Sequence, residues 1–208
     1  MNRDAVWWMA RVLAVVALCV AGAVPARAVG SIVLPRPGQV GIGFQGGYGT
    51  LLKSGDLGEI FGQGPAIAVR LRYRMRYERA IGLSFEGQRF DIRTPEATFP
   101  GFPELKGRIN VRVVLSGLEF YQLFGTRTRT TKMISLGGGV AQTSGRTTDK
   151  DTYYPGDGAF VSVGAGFERF LLRSWALDVS TRYQAVFLPK DRNHDLQVAV
   201  GMMFYASY

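Results

Sequence analysis

Thiol chemistry has almost nothing to work with in this chain. The single cysteine, Cys19, lies in an amino-terminal stretch with the layout of a secretory signal. Arg3 and Arg11 form its basic region, an apolar run extends from Val12 to about Val24, and Ala26-Arg27-Ala28 supplies an A-x-A cleavage site. A lipoprotein reading of Val16-Ala17-Leu18-Cys19 fails on Leu18, where a small residue is wanted. A mature chain beginning near Val29 holds no cysteine, which excludes disulfides and thiolate metal sites. Histidine is as scarce: His194 is the only one, so an imidazole-rich metal site is excluded and any serine hydrolase would have to be built around that ring. Long apolar runs are missing too. The signal's run is too short to span a bilayer as a helix, and no stretch of about eighteen apolar residues follows it. Residence in a membrane would therefore be achieved without helices. Acidic residues are also in the minority, 16 against 25 lysines and arginines. For a secreted chain that excess points to anionic lipid before nucleic acid.

What the sequence has is alternation. About 180 residues follow the signal, enough for one domain. No segment keeps a 3.6-residue period, so little or no helix is expected. From Leu196 onward, Leu196, Val198, Val200, Met202, Phe204, Ala206 and Tyr208 alternate with Gln197, Ala199, Gly201, Met203, Tyr205 and Ser207, the period of a strand with one apolar face. Its length of about thirteen residues suits a tilted strand crossing a bilayer. Similar segments run from about Gln39 to Tyr48, Ala66 to Tyr77, Ile81 to Phe90, Arg108 onward, Met133 to Thr143, Gly158 to Glu168 and Ala176 to Phe187. In the fourth, Ile109, Val111, Val113 and Leu115 are assigned to the apolar face, and a bulge is expected at Ser116-Gly117, where the phase blurs.

The connections alternate in length. Those after the first, third, fifth and seventh segments are the longer set, and those near Glu78-Arg79-Ala80, Gly125 to Thr131 and Arg169 to Trp175 are tight or moderate. Long loops at one end and short turns at the other, with an even strand number, describe an eight-stranded antiparallel up-and-down transmembrane β-barrel with both termini on the periplasmic side. The expected layout is a signal peptide over 1–28, a lead-in over 29–38 and the barrel over 39–208.

A soluble lipocalin-like barrel in the periplasm would show the same alternation, so the polar face must decide which way the strands look. It is rich in glycine, with Gly41, Gly43, Gly47, Gly82, Gly137, Gly139, Gly164, Gly166 and Gly201, which suits the narrow interior of an eight-stranded barrel. It therefore points inward, and the apolar face outward to lipid. The sharpest local feature is the ladder Arg70, Arg72, Arg74 and Arg76. A nucleic-acid stripe would interleave stacking aromatics on an exposed surface, whereas here the interleaved residues belong to the lipid face. The ladder is read instead as part of a lumen salt-bridge network with Glu86, Arg112, Glu168, Asp178 and Arg182, Glu119 remaining open because of the bulge. Folding the hairpin about Arg79 sets Arg76 against Gly82, Arg74 against Ser84, Arg72 against Glu86 and Arg70 against Gln88. Removing one partner of a buried pair costs about 3–5 kcal/mol, so Glu86→Ala is expected to destabilise the barrel. Aromatics near the strand ends suggest two interfacial girdles, Tyr77, Phe124, Phe170, Trp175 and Tyr208 at the turn end and Tyr48, Phe90, Phe160 and Phe187 at the loop end. Arg76, Arg79, Arg127, Arg129, Lys132, Arg169 and Arg173 gather at the short turns, within reach of anionic headgroups.

The passage Gly164-Ala165-Gly166-Phe167-Glu168, followed by Leu177-Asp178-Val179-Ser180-Thr181-Arg182-Tyr183, resembles the penultimate hairpin of the small outer-membrane β-barrel proteins, the OmpA transmembrane-domain and OmpX-like group. That resemblance covers about Gln39 to Tyr208 and implies residence in the cell outer membrane, a lumen glutamate and arginine, and contact with outer-membrane lipid and lipopolysaccharide. It also implies an assembly signal at Phe204 and Tyr208, read by the barrel-assembly machinery. Tyr208 stands where phenylalanine is commoner in the group, and Ala206 where an aromatic is frequent. No peptidoglycan-binding domain is expected after the barrel, which argues against a cell-wall anchor.

Some barrels of this size are enzymes, the lipid A deacylases and palmitoyltransferases among them. His194 sits in Arg192-Asn193-His194-Asp195 with no serine two residues on, as the deacylases would have. Asp149, Asp151 and Asp157 lack calcium-loop spacing. The expectation is a monomeric, non-catalytic barrel with no cofactor, no nucleic-acid partner and no wide pore, with a structural or surface-interaction role. Its loop-borne apolar spots, Leu51-Leu52, Phe99-Pro100-Gly101-Phe102 and Tyr153-Tyr154, are the first candidates for contacts. The rivals are a lipid A-modifying enzyme and the soluble ligand-binding barrel.

Overall fold

The computed structural model describes residues 36–92, 110–146, 152–153, 156–189 and 191–206. The signal segment with Cys19, the loop spots Phe99 to Phe102 and Tyr154, the aspartates Asp149 and Asp151, and the terminal Ser207 and Tyr208 lie outside them.

Eight long strands make the wall: β1 (Val40–Leu51), β2 (Gln63–Arg76), β3 (Arg79–Asp91), β4 (Asn110–Phe124), β5 (Thr130–Arg146), β7 (Asp157–Phe170), β8 (Trp175–Phe187) and β9 (Arg192–Tyr205). The two-residue β6 (Thr152–Tyr153) pairs with the far end of β5, beyond β7. Each long strand pairs antiparallel with its chain neighbour, and β1 pairs with β9 from Gly41↔Tyr205 to Leu51↔Asp195, which closes the barrel. Closure leaves no free sheet edge, and only such a wall satisfies the backbone of strands placed in lipid. The short connections, at residues 77–78, 125–129 and 171–174, share one end. Among the described residues one segment is helical: α1 (Gly55–Ile60), in the connection between β1 and β2. Six residues are too few for a helical period to show in a sequence.

Burial alternates along every long strand. Ile42, Phe44, Ile67, Val69, Leu83, Phe85, Leu118, Leu136, Val161, Val163, Leu196 and Val198 stand outward and exposed. The glycine-bearing face looks inward because the lumen has no room for more. A Cβ at Gly41 would lie 2.7 Å from the Tyr205 ring, and one at Gly43 2.7 Å from Met203 Cε. The small residues of β1 thus make space for the bulky inward residues of β9.

Strand β4 departs from the expected reading. Its pairing with β3 and with β5 runs unbroken from end to end, without a bulge at Ser116-Gly117. One phase therefore holds throughout: Val111, Val113, Leu115, Glu119, Tyr121 and Leu123 are buried in the lumen, while Arg112 and Val114 are outside. Residues 111–115 are apolar on both faces apart from Arg112, so charge pulled the reading of Arg112 inward, and the ladder geometry sets it outward. The lumen is consequently layered. Its loop end holds an apolar cluster, built from Leu51, Phe90, Val113, Leu115, Phe160 and Val186 together with Leu57 of α1 and Phe61 just after it, beside a buried hydrogen bond from Gln88 to Asp195. The middle is ionic, and the turn end is apolar again around Leu123, Met133, Phe170 and Met203. Phe90, Phe160 and Phe170 thus belong to the lumen and not to the girdles. Tyr48, Tyr77, Phe124, Trp175 and Phe187 do face outward.

Candidate functional site: the ionic lumen

The hairpin between β2 and β3 turns on two residues, Tyr77 and Glu78, two positions earlier than expected. Arg70 therefore stands opposite Ser84, Arg72 opposite Gly82 and Arg74 opposite Ala80, with a register irregularity before Arg76↔Arg79. The partners of Arg70, Arg72 and Arg74 each move by four residues. An even shift preserves the faces, so the inward face survives while every expected pair changes. Arg70, Arg72 and Arg74 are fully buried; Arg76 lies beyond the irregularity, exposed at the turn end, and takes no part in the lumen network.

Their carboxylate partners come from across the barrel. Glu168 on β7 receives Arg72 and, at 2.9 Å, Arg74, and accepts a hydrogen bond from the Tyr205 hydroxyl at 2.6 Å. Asp178 on β8 is 3.3 Å from Arg72 and accepts 2.6 Å from Gln45 Nε2. Arg182 pairs with Glu119, which also accepts from the Tyr121 hydroxyl. Glu86 is more loosely held, 3.9 Å from Arg70 and 3.8 Å from Arg182, with one hydrogen bond from Gln184 Nε2 at 2.9 Å. The guanidinium of Arg72 lies 4.1 Å over the Tyr121 ring and that of Arg74 5.3 Å over Tyr205, so cation–π contact supplements the ion pairs.

Of the residues singled out from the sequence, Arg70, Arg72, Arg74, Glu86, Glu168, Asp178 and Arg182 come together, and Arg76 and Arg112 do not. Glu119, Tyr121, Tyr205, Gln45 and Gln184 complete the cluster. Tyr205 falls on the inward face already read for the last strand, whereas Tyr121 lies beyond Ser116-Gly117, where the phase of β4 could not be read from the sequence. Phe204, on the opposite face of β9 from Tyr205, is exposed and packs 5.0 Å from Trp175. His194 is on the outer surface, where its Nδ1 is 2.5 Å from the Tyr183 hydroxyl and its ring stacks on that phenol. A phenol, not a serine, is thus its hydrogen-bond partner. Among the described residues no group of three or more histidine, cysteine or carboxylate side chains is arranged to hold a metal ion.

No protein-family model matches the chain, and no curated protein matches its sequence. Solved structures do match its shape. Neisserial surface protein A is similar with a TM-score of 0.57 at 10% identity, over 79% of this chain and 96% of that one. The fold is that of the small outer-membrane β-barrels. Ail, the attachment invasion locus protein of Yersinia pestis, solved in complex with the heparin analogue sucrose octasulfate, is similar with a TM-score of 0.51 at 13% identity, over 81% of this chain and 99% of that one. At such identities the likeness concerns the fold alone.

Proposed function

We propose that the protein is a non-catalytic barrel of the outer membrane with a structural or surface-interaction role, monomeric, surrounded by outer-membrane lipid and lipopolysaccharide, and inserted by the barrel-assembly machinery. The observation that carries this reading is an apolar exterior around a filled interior. Soluble proteins rarely expose a continuous apolar patch beyond a few hundred Å². Here the belt of Ile42, Phe44, Ile67, Leu118, Leu136 and Val161 passes around the wall, which disfavours the soluble lipocalin-like rival. Inside, paired charges and two apolar layers occupy the bore, as expected of eight strands, and argue against a wide pore. The described hydrogen-bond partner of His194 is the Tyr183 phenol and not a serine, which disfavours a serine-hydrolase form of the lipid A-modifying rival.

Electrophoresis in detergent with and without boiling tests the reading: a closed membrane barrel runs compact until heated and then shifts. Recovery in the soluble wash rather than the membrane pellet, or steady large conductance in a planar bilayer, would overturn it. Mass spectrometry of lipid A with and without the protein tests the enzymatic rival.

A further inference from the structure

Arg89 on β3 stands directly opposite Arg112 on β4, both on the outward face near the loop end. Like charges directly opposite on neighbouring strands repel, and an anion lying between them would relieve that repulsion. Among the described ion pairs Arg89 has only Asp91, at 3.6 Å with both side chains about half exposed or more, and Arg112 has none.

Immediately below this pair the apolar belt is dented. Gly87, outward-facing, lies opposite Val114 on one side and Ile67 on the other. A Cβ there would meet only Ile67 Cγ1, at 3.9 Å. Phe85, Ile67 and Val114 stand exposed around the gap, so a dent lined by apolar side chains lies two residues below the Arg89–Arg112 pair along the strands. Its height is also informative. Arg89 is eight residues beyond Ile81 along β3, which at about 3.3 Å per residue and a tilt of about 40° is roughly 20 Å along the barrel axis. With Ile81 near the lower edge of an apolar band about 25 Å tall, the arginines stand within about 5 Å of its upper edge, within side-chain reach of the headgroups.

We propose that Arg89, Arg112 and the Gly87 dent form a binding site for a phosphate-bearing lipid of the outer leaflet. The two guanidinium groups grip the headgroup phosphate, for which their planar, multidentate donors are suited, and an acyl chain lies in the dent. The inference rests on the outward belt facing lipid, as in the proposed function. A lipid is favoured over a free anion because the arginines stand above an apolar dent continuous with the belt. The other directly opposed arginine pair among the described residues, Arg76 opposite Arg79 at the turn end, borders Tyr73, Met75 and Ile81 and has no such gap.

The test is native mass spectrometry of the full chain in non-ionic detergent, titrated with bisphosphorylated lipid A. The wild type is expected to retain the lipid, and Arg89→Gln with Arg112→Gln to weaken retention by about tenfold or more, the scale of one lost charge-assisted contact. Gly87→Leu should also weaken it, by filling the dent. Dephosphorylated lipid A should bind the wild type no better than the double variant binds lipid A, and Arg76→Gln with Arg79→Gln should change nothing. Compact mobility before boiling identifies folded variants, and Arg112→Gln alone serves if the double variant is not compact. Equal retention by the arginine variants, an equal loss on changing Arg76 and Arg79, or displacement of the lipid by millimolar inorganic phosphate would each overturn the proposal. Those results leave the membrane reading intact, whereas absence of the protein from the membrane pellet would remove both.

Discussion

Neutralising Glu168 should be among the most damaging single changes available in the lumen. Glu168 is the only carboxylate in an ion pair with Arg74 among the described residues, and it shares Arg72 with Asp178. In Glu168→Gln the Arg74 guanidinium stays buried without a counter-charge and the Tyr205 hydroxyl loses its ionised acceptor. Breaking a buried pair on one side costs about 3–5 kcal/mol, and a hydrogen bond to a charged group adds about 1.5–3 kcal/mol before relaxation. A loss of about 4 kcal/mol is expected, against about 2 kcal/mol for Glu86→Gln, whose ion contacts are near 3.9 Å and which keeps a hydrogen bond from Gln184. The figure expected from sequence for Glu86 rested on a pairing with Arg72 that does not form. Adding Arg74→Met to Glu168→Gln removes the stranded charge and should restore much of the stability, since an apolar replacement of a buried pair is close to neutral. Reversible urea unfolding in lipid vesicles, followed by Trp175 fluorescence and by mobility without boiling, measures all three. A loss below about 1 kcal/mol for Glu168→Gln, or a double variant no more stable than the single, would refute the argument, both figures being set against the buried-pair scale.

The phase of β4 has its own test: Arg112→Leu should leave stability nearly unchanged, whereas Leu118→Arg, in the middle of the outer belt, should cost about 2–4 kcal/mol, read from urea midpoints. Two glycines on β1 should respond in opposite ways to enlargement. Gly43→Leu collides with Met203 and should lose about 1–3 kcal/mol by overpacking, while Gly46→Leu, which meets nothing within 4 Å, should be tolerated. The apolar layer at the loop end predicts a closed bore, so Phe90→Ala together with Phe160→Ala should raise single-channel conductance above the wild-type baseline in a planar bilayer. No change in that double variant would mean that the ionic layer alone closes the lumen.

Much of the wall was legible from alternation. The eight long strands, their inward and outward faces outside β4, and the burial of Arg70, Arg72 and Arg74 follow from a period of two and from the crowding of glycine on one face. Partner identity was not legible, because alternation specifies a face and leaves the register free in steps of two; the Tyr77-Glu78 turn alone moved every arginine to a different neighbour. Strand β4 was misread where apolar residues occupy both faces, since a phase cannot be read where the two sets look alike. The apolar ends of the lumen were missed for the same reason: Phe90 and Phe160 near strand ends look like girdle residues until their parity is counted against buried neighbours. Nothing in the spacing could show that α1 folds over the mouth, where Gly58 donates to Asn193 Oδ1 and Leu57 to Asp191 Oδ2 from the far end of the chain.

By itself, then, the sequence determined a wall: alternating segments of bilayer length, short basic turns at one end, and more charge than an outward face could carry. Only the closed tertiary structure decided which charges meet. Glu168 finds Arg72 and Arg74 across the bore, Glu119 finds Arg182, and Arg112 is left outside beside Arg89. The physical reason is that contacts across a lumen depend on the register of every strand between the two partners. Only closure of β1 on β9 sets all of those registers together.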